Sequence, residues 1–347
     1  EVKTLNNRYE LLTDINQNKY IDFSIISKKN NFQNIYELNE IKEDLFQYYD
    51  YEKIEHFDKM LQNTNKNNPW LNLTTNFNDV VNWKGVKINN YIPEVKIWTT
   101  GLYHKYPITI LHYGLEIINK LILQKQKHIY IEENIILELK QLVKNIFNYI
   151  QTTDLTNTFP YRISYKKHDI IDNNLTKNLG ENTIDCMTIG LYLSFISKYN
   201  VFFNENNKYL PIIKDYIPLL KINVFEYEMY DSYYDINSKI GYNTILNKSL
   251  YFIIGCYDYH MFSNEIYFKD IFDDSIKHLE NLLPFFDLGN WSCYDLSHLI
   301  YKTDVKKCNS NYHMVHIKLL KYLYIVTDND TIKFYYEKFK EYLNEIY

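Results

Sequence analysis

From Tyr106 onward the apolar residues of this 347-residue chain recur at intervals of three and four. Ile108, Leu111, Leu115, Ile118 and Ile122 set the pattern, which is one face of a helix. Similar faces follow at 133–152, 184–200, 207–219, 244–261, 270–283, 312–326 and 331–346. The last of them puts Ile332, Tyr335, Phe339, Tyr342 or Leu343, and Ile346 on one side, and the "TDNDT" before it is a helix start signal. About eight successive helices without heptads, and without a repeat of fixed length, predict a mainly α fold. An α/α barrel (toroid) fits better than a coiled coil or a solenoid. In a toroid the helices ring a central cleft in which a long glycan can lie, an expectation that rests on analogy between folds.

The first hundred residues lack that period. Residues 1–36 alternate in short runs such as "RYELLTDI" and "KYIDFSIIS", which predict two or three strands. Residues 38–62 are charged and amphipathic, as in a helix, and 63–100 are rich in Asn, Thr and Trp and read as irregular. The expected organisation is an N-terminal segment over 1–92, with short strands and one helix, and a helical domain over 93–347.

Composition removes several function classes. Hydrophobic residues make up 46% of the chain, enough for a large core. Only 8 glycines and 7 prolines argue against an all-β protein full of tight turns. A net charge of -5 provides no basic field for nucleic acid. An anionic polymer would have to be met by a few local cations. No apolar run approaches the roughly 20 residues of a membrane span. The four cysteines, Cys186, Cys256, Cys293 and Cys308, have no C-x-x-C spacing, which leaves no zinc ribbon. No glycine loop is built to cradle phosphate. Tyrosine reaches 36 residues, so a single tyrosine says little about a site.

The C-terminal stretch carries a distinctive order of motifs: Leu283-Pro284, Asp287-Leu288-Gly289, Tyr294-Asp295-Leu296, then Asn311-Tyr312-His313 with His316-Ile317. It resembles the ending of the D-glucuronyl C5-epimerase family. Three earlier segments fall in the same order. "YPITILHYGL" keeps Tyr106-Pro107 and Tyr113-Gly114-Leu115. "IDCMTIG" resembles the family's Ser-Ala-Met-Ala-Gln-Gly helix and keeps Met187 and Gly190. "ILNKSLYFIIGCYDY" resembles Val-Leu-Asn-Gly-Phe-x-x-x-Leu-x-Gly-Leu-Tyr-Asp and keeps Leu246-Asn247, Gly255 and Tyr257-Asp258. The likeness runs from about residue 93 to 347. The family's animal members carry β-rich domains before the helical one; with at most 92 residues ahead of it here, that part is shortened or different.

The resemblance implies conversion of D-glucuronate to L-iduronate within a heparosan-like glycan. Such an enzyme removes the C5 proton from one face of the sugar and returns one to the other. It needs a base, an acid, and cations or donors on the carboxylate, but no cofactor. The family is thought to use tyrosines for the proton transfers. Its C-terminal pair maps onto Tyr294 and Tyr312. Its Glu-Glu-Tyr element falls near Tyr233 or Tyr234, with Glu228 or Asp231 as the carboxylate. The expected substrate contacts are His298, His313, His316, Lys302, Arg162, Tyr106, Tyr113 and Asn247. His298, His313 and His316 are also of metal-ligating type, but spacing fixes no third ligand, and glycan orientation or helix capping is the reading taken. The tryptophans, Trp70, Trp83, Trp98 and Trp291, have a core role by default.

One departure stands out. The family's Tyr-Asp-Leu-Arg-His has Ser297 in place of its arginine, and Arg8 and Arg162 are the only arginines in the chain. A serine cannot replace the bidentate guanidinium clamp. Two rival readings therefore accompany the epimerase: a uronate lyase, and a non-catalytic glycan-binding protein on the same fold. A homodimer is compatible with the resemblance. The compartment would be the cytoplasm for bacterial capsule-type biosynthesis or the Golgi lumen for a eukaryotic pathway.

Overall fold

The computed structural model describes residues 10–13, 19–22, 86–96, 103–127, 132–152, 183–209, 211–224, 227–230, 233–235, 240–242, 244–296, 298–299 and 305–344. The expected helix at 38–62 lies outside these residues, as do Arg162, Ser297, Lys302, Trp70, Trp83 and Trp98.

The protein is mainly helical with small sheets. Its helices are α1 (Pro107–Lys127), α2 (Glu133–Thr152), α3 (Cys186–Phe203), α4 (Ile212–Leu220), α5 (Leu246–Ser263), α6 (Ile266–Leu282), α7 (Ser310–Thr327) and α8 (Asp330–Asn344). A 3₁₀ turn, Leu283–Phe286, follows α6. Local chemistry sets their ends. The Asp185 carboxylate caps α3 by accepting from the Thr188 amide at 3.0 Å, and Asn309 caps α7 by accepting from Tyr312 at 3.0 Å. Asn204, Asn264 and Asp328 end α3, α5 and α7 with φ of 56°, 57° and 52°. That left-handed conformation is tolerated best by Gly, Asn and Asp. No helix among the described residues is long and apolar enough to cross a membrane.

Two kinds of helix alternate along the chain. Every residue from 184 to 197 is buried, and so is every residue from 244 to 256, so the first turns of α3 and α5 have no solvent face. In contrast α2, α4, α6 and α8 each expose one side. α1 packs on α3, α3 on α5, and α5 on α7, while α2, α6 and α8 pack on α1, α5 and α7 respectively.

The closest of these contacts is α3 against α5. A Cβ on Gly190 would lie 2.5 Å from the Phe252 Cα, and one on Gly255 would lie 2.5 Å from the Gly190 Cα. The two backbones touch there, which only glycine permits.

Strands β1 (Glu10–Thr13) and β2 (Lys19–Asp22) pair antiparallel, as the early alternation predicts. The irregular reading of 63–100 fails at 86–96. There β3 (Val86–Asn89) and β4 (Ile92–Lys96) form a hairpin, with β5 (Tyr103–His104) added on β4. Its two-residue turn, Asn90 and Tyr91, has φ of 50° and 63°, the geometry that matches strand twist. The expected domain boundary at 92/93 thus falls within a hairpin that packs against α1 and α2. Further on, β6 (Thr183–Ile184), β9 (Tyr233–Asp235) and β10 (Ile240–Tyr242) form one small sheet, and β7 (Lys221–Val224) with β8 (Tyr227–Tyr230) another.

Candidate active site

The first turns of α3, α5 and α7 meet at one end of the bundle. Asp185, the cap of α3, is ion-paired with Lys248 in the first turn of α5, and both side chains are buried. The resembling family motifs have Ser and Gly at these two positions, so this chain carries a buried charge pair of its own. The start of α5 is also held by the 294–296 segment. The Leu246 amide donates to the Tyr294 carbonyl at 3.2 Å, and the Leu296 amide to the Thr244 carbonyl at 3.3 Å. From that segment the Tyr294 ring reaches the Tyr312 ring of α7, with centroids 5.1 Å apart and planes tilted by 59°.

Tyr312 is 40% exposed and Tyr294 half-buried, so this aromatic pair is accessible from outside. Behind it the groups become buried and charged. Tyr251 of α5 lies edge-on to His112 of α1, ring centroids 5.0 Å apart. Burial raises the Tyr251 pKa, and Tyr312 nearby adds to the rise. His112 keeps some accessible surface, yet desolvation and the charge of Lys318 lower its pKa to about 3. Lys318 of α7 is buried, which lowers its pKa to about 8 against the opposing attraction of Glu116. At neutral pH Lys318 is therefore still mostly cationic. His112 and Glu116 are one turn apart on α1, so they present to the same side.

The polar lining continues downward. Tyr322, one turn after Lys318, donates to Asp258 of α5 at 3.2 Å. Burial raises the Asp258 pKa, opposed chiefly by Lys198 of α3, whose own pKa burial lowers. Asn247, in the first turn of α5, is 3% exposed, and its side-chain oxygen has no hydrogen-bond partner among the described residues. An unsatisfied buried carbonyl is a group that a substrate hydroxyl could satisfy.

The other expected residues fall in three groups. Tyr233 and Tyr234 lie on β9, and the backbone of Tyr234 is paired with Ile184, directly ahead of the α3 cap. His298 is 1% exposed beside Asp295; burial lowers its pKa to about 4, against the pull of that carboxylate. Tyr106 is half-buried just before α1. Three expected substrate contacts instead face inward: Tyr113, His313 and His316 are each 0% exposed. His313 Nδ1 lies 2.7 Å from the Ser292 Oγ, and its Nε2 lies 2.8 Å from the Phe339 carbonyl oxygen. The same Ser292 Oγ lies 3.0 Å from His316 Nδ1. His313 stacks on Trp291 at 3.7 Å, and the Trp291 indole donates to the Cys308 carbonyl at 2.8 Å. Both histidines therefore tie Ser292, at the end of the 287–292 turn, to α7, His313 alone reaches on to α8, and Trp291 is core rather than a sugar platform. The described residues contain no group of three or more His, Cys, Asp or Glu arranged to hold a metal ion. All four cysteines are buried free thiols.

The turn those histidines hold explains the Asp-x-Gly motif. Gly289 has φ of 82° and donates its amide to Asp287 at 2.8 Å. Asp287 also accepts from the Tyr342 hydroxyl at 2.7 Å and pairs with Lys338 at 2.6 Å, which clamps α8. Tyr342→Phe is expected to cost about 1.5–3 kcal/mol of stability, the usual worth of a buried hydrogen bond to a charged group, as measured by urea unfolding.

Sequence reasoning missed Tyr251, Lys318, Glu116 and the Asp185–Lys248 pair. The signal was present as single charges inside apolar helices, in "ILNKSLYF" and "HIKLLKYL".

The sequence model of one protein family, D-glucuronyl C5-epimerase C-terminus, matches residues 157–341, more than half of the chain. Among curated proteins, a D-glucuronyl C5-epimerase of Caenorhabditis elegans is 27% identical over 154 residues, which cover 40% of this chain and 25% of that protein. The match thus spans about a quarter of the length of that relative. Tyr294, Tyr312, Gly190, Gly255 and the Asp287–Gly289 turn all lie within the matched region, and the chain belongs to the D-glucuronyl C5-epimerase C-terminal family.

Proposed function

We propose that this protein is a polysaccharide uronosyl C5-epimerase that converts D-glucuronate to L-iduronate in a heparosan-like chain by tyrosine-mediated proton exchange. The observation that carries this reading is the accessible Tyr294–Tyr312 pair, which lies within the region matched by the epimerase family; Lys318 is a buried cation further along α7. C5 deprotonation builds negative charge on the uronate carboxylate, and a cation in a water-poor site stabilises it strongly. Lys318 takes the part that the family's arginine leaves open at Ser297. His112 is neutral at working pH and so able to accept or donate one hydrogen bond.

The spacing of the two rings constrains the roles. At 5.1 Å between centroids they are in contact, and no pyranose fits between their faces. Tyr312 and Tyr294 therefore reach the sugar through their hydroxyls from one side. Tyr233 or Tyr234 of β9 assists the proton transfer, and Asn247 and His298 are further expected substrate contacts. Tyr312, the more exposed of the pair, is the first proton-transfer group. Lys302 and Arg162 are further substrate contacts, and Tyr106 stands at the start of α1 on the way in.

The α/α-barrel expectation is supported by the alternation of enclosed and one-sided helices, and by the inner succession α1, α3, α5, α7. The proposed organisation is an N-terminal segment over 1–92 and a helical domain over 93–347, with the 86–96 hairpin packed on α1 and α2. The substrate is an anionic polysaccharide, and a homodimer remains compatible with this arrangement.

Incubation of the chain with heparosan in deuterated water tests the reading. Deuterium at C5 together with iduronate signals in the NMR spectrum is the expected result. Growth of an unsaturated-uronate absorbance with chain cleavage would select a lyase instead. Binding of the polymer with neither outcome would select a glycan-binding protein.

A further inference from the structure

A recess of about 620 Å³ opens between the β3–β4 turn and α2, lined by Asn90, Tyr91, Lys105, Gln141, Asn145 and Tyr149. It is separate from the Tyr294–Tyr312 pair, since none of the residues around it belongs to α3, α5 or α7. Its chemistry is specific. The Lys105 ammonium sits 4.9 Å above the Tyr149 ring. The Gln141 amide donates to the Asn145 carbonyl at 3.0 Å, which sets two planar amides side by side and leaves an acceptor on one and a donor on the other. Tyr91 is 51% exposed at φ of 63°. A bulky side chain is strained in that left-handed region, and asparagine or glycine is the ordinary occupant of this turn position. Glu94 is engaged by Asn89 at 3.0 Å and Lys87 at 3.3 Å and also attracts Lys105, which is the cationic residue among those lining the recess.

We infer that this recess is an accessory glycan subsite that grips an acidic sugar of the polymer away from the reacting residue. Pyranose rings present apolar C–H faces and a rim of hydroxyls. Tyr91 matches the faces, the Asn90, Gln141 and Asn145 amides match the hydroxyls, and Lys105, held over the Tyr149 ring, matches a carboxylate. The location suits a chain-holding site: Lys105 lies two residues before α1, at the end where that helix begins. The assignment of an acidic glycan rests on the epimerase reading, while the geometry of the recess does not. A second point of attachment raises the residence of a long polymer without new chemistry at the reacting sugar.

The test measures binding of a heparosan decasaccharide, and of its carboxyl-reduced form, to the full chain by isothermal titration calorimetry. Lys105→Met is expected to weaken the heparosan complex about tenfold and to leave the carboxyl-reduced complex unchanged. Tyr91→Gly is expected to weaken both while leaving the urea midpoint equal or higher, because glycine relieves the positive φ. Wild-type affinity in both variants overturns the inference, and so does absence of heparosan binding by the wild type. Loss of binding in the variants alongside no epimerisation by the wild type would support the subsite and reject the epimerase reading. Epimerisation with unchanged binding would reject the subsite alone.

Discussion

Gly190→Ala is expected to destabilise the chain by about 3 kcal/mol, the upper range for forcing atoms into a packed core. The reason is geometric. The new methyl would lie 2.5 Å from the Phe252 Cα and 2.6 Å from the Tyr251 carbonyl carbon. Both are backbone atoms of α5 that cannot step aside alone. Relief requires α3 and α5 to separate, and these two helices hold the Asp185–Lys248 pair at the candidate site. Gly114→Ala is the control. Its methyl meets the edge of the Phe195 ring at 2.6 Å, where a side chain can rotate, and alanine favours the helix by roughly 0.5–1 kcal/mol. The urea midpoint should therefore fall far more for Gly190→Ala than for Gly114→Ala. Equal losses would contradict the backbone contact. Gly255→Ala should cost about as much as Gly190→Ala, and the two should not add, because each methyl invades the same contact.

Acid is expected to unfold the protein from a pH at which most surface carboxylates are still ionised. Burial lowers the pKa of His112 and His313 to about 3 and that of His298 to about 4, and it takes His316 well below the ordinary value. In the unfolded chain each returns to about 6.5. Below that pH the unfolded state binds more protons than the native one, so stability falls as pH falls, and continues to fall toward the native pKa values. Above about 6.5 the full contribution is present. At pH 5.5 each such histidine costs about 1.4 kcal/mol, and the four together cost about 5.6 kcal/mol at most, less a discount for the accessible part of His112. Domains of ordinary stability have about 5–15 kcal/mol in all. A urea midpoint that drops steeply between pH 7.5 and 5.5 is the expected outcome. A flat profile would mean that these rings are not buried neutral.

The helices were readable because burial on one side leaves a period of 3.6. α2 matches its expected span, 133–152, at both ends. The α8 start was readable from capping chemistry, since Asn329 accepts from the Ile332 amide at 3.0 Å as "TDNDT" implies. The β3–β4 hairpin was not, because its turn is Asn90-Tyr91 rather than the Asn-Gly that marks such turns in sequence. The choice of Tyr294 and Tyr312 as candidates rests on motif resemblance, and their ring contact is visible only in the structure; periodicity had nothing to say about residues on a loop and a helix end. His313 and His316 do share a face, as their spacing requires, and both approach Ser292. Spacing alone does not tell whether that face looks into a cleft or into the core, and here it looks into the core. Lys318 and Glu116 were not legible for a related reason: a charge in an apolar helix does not tell in sequence whether it lies buried beside a partner on another helix.

The family's arginine is replaced by Ser297 in this chain. Under the proposed function the charge comes instead from Lys318, a buried cation of α7 whose charge acts on His112. A lysine is a point charge rather than a planar fork, so a substrate carboxylate would be held with less orientation than an arginine gives.

The most direct measurement of the central claim is C5 deuterium incorporation into heparosan by the wild type and by Tyr312→Phe, with polymer binding followed in parallel. The epimerase account predicts exchange in the wild type, a loss of about 10²- to 10⁴-fold in Tyr312→Phe, and unchanged binding in that variant. Exchange at the wild-type rate in Tyr312→Phe would contradict it.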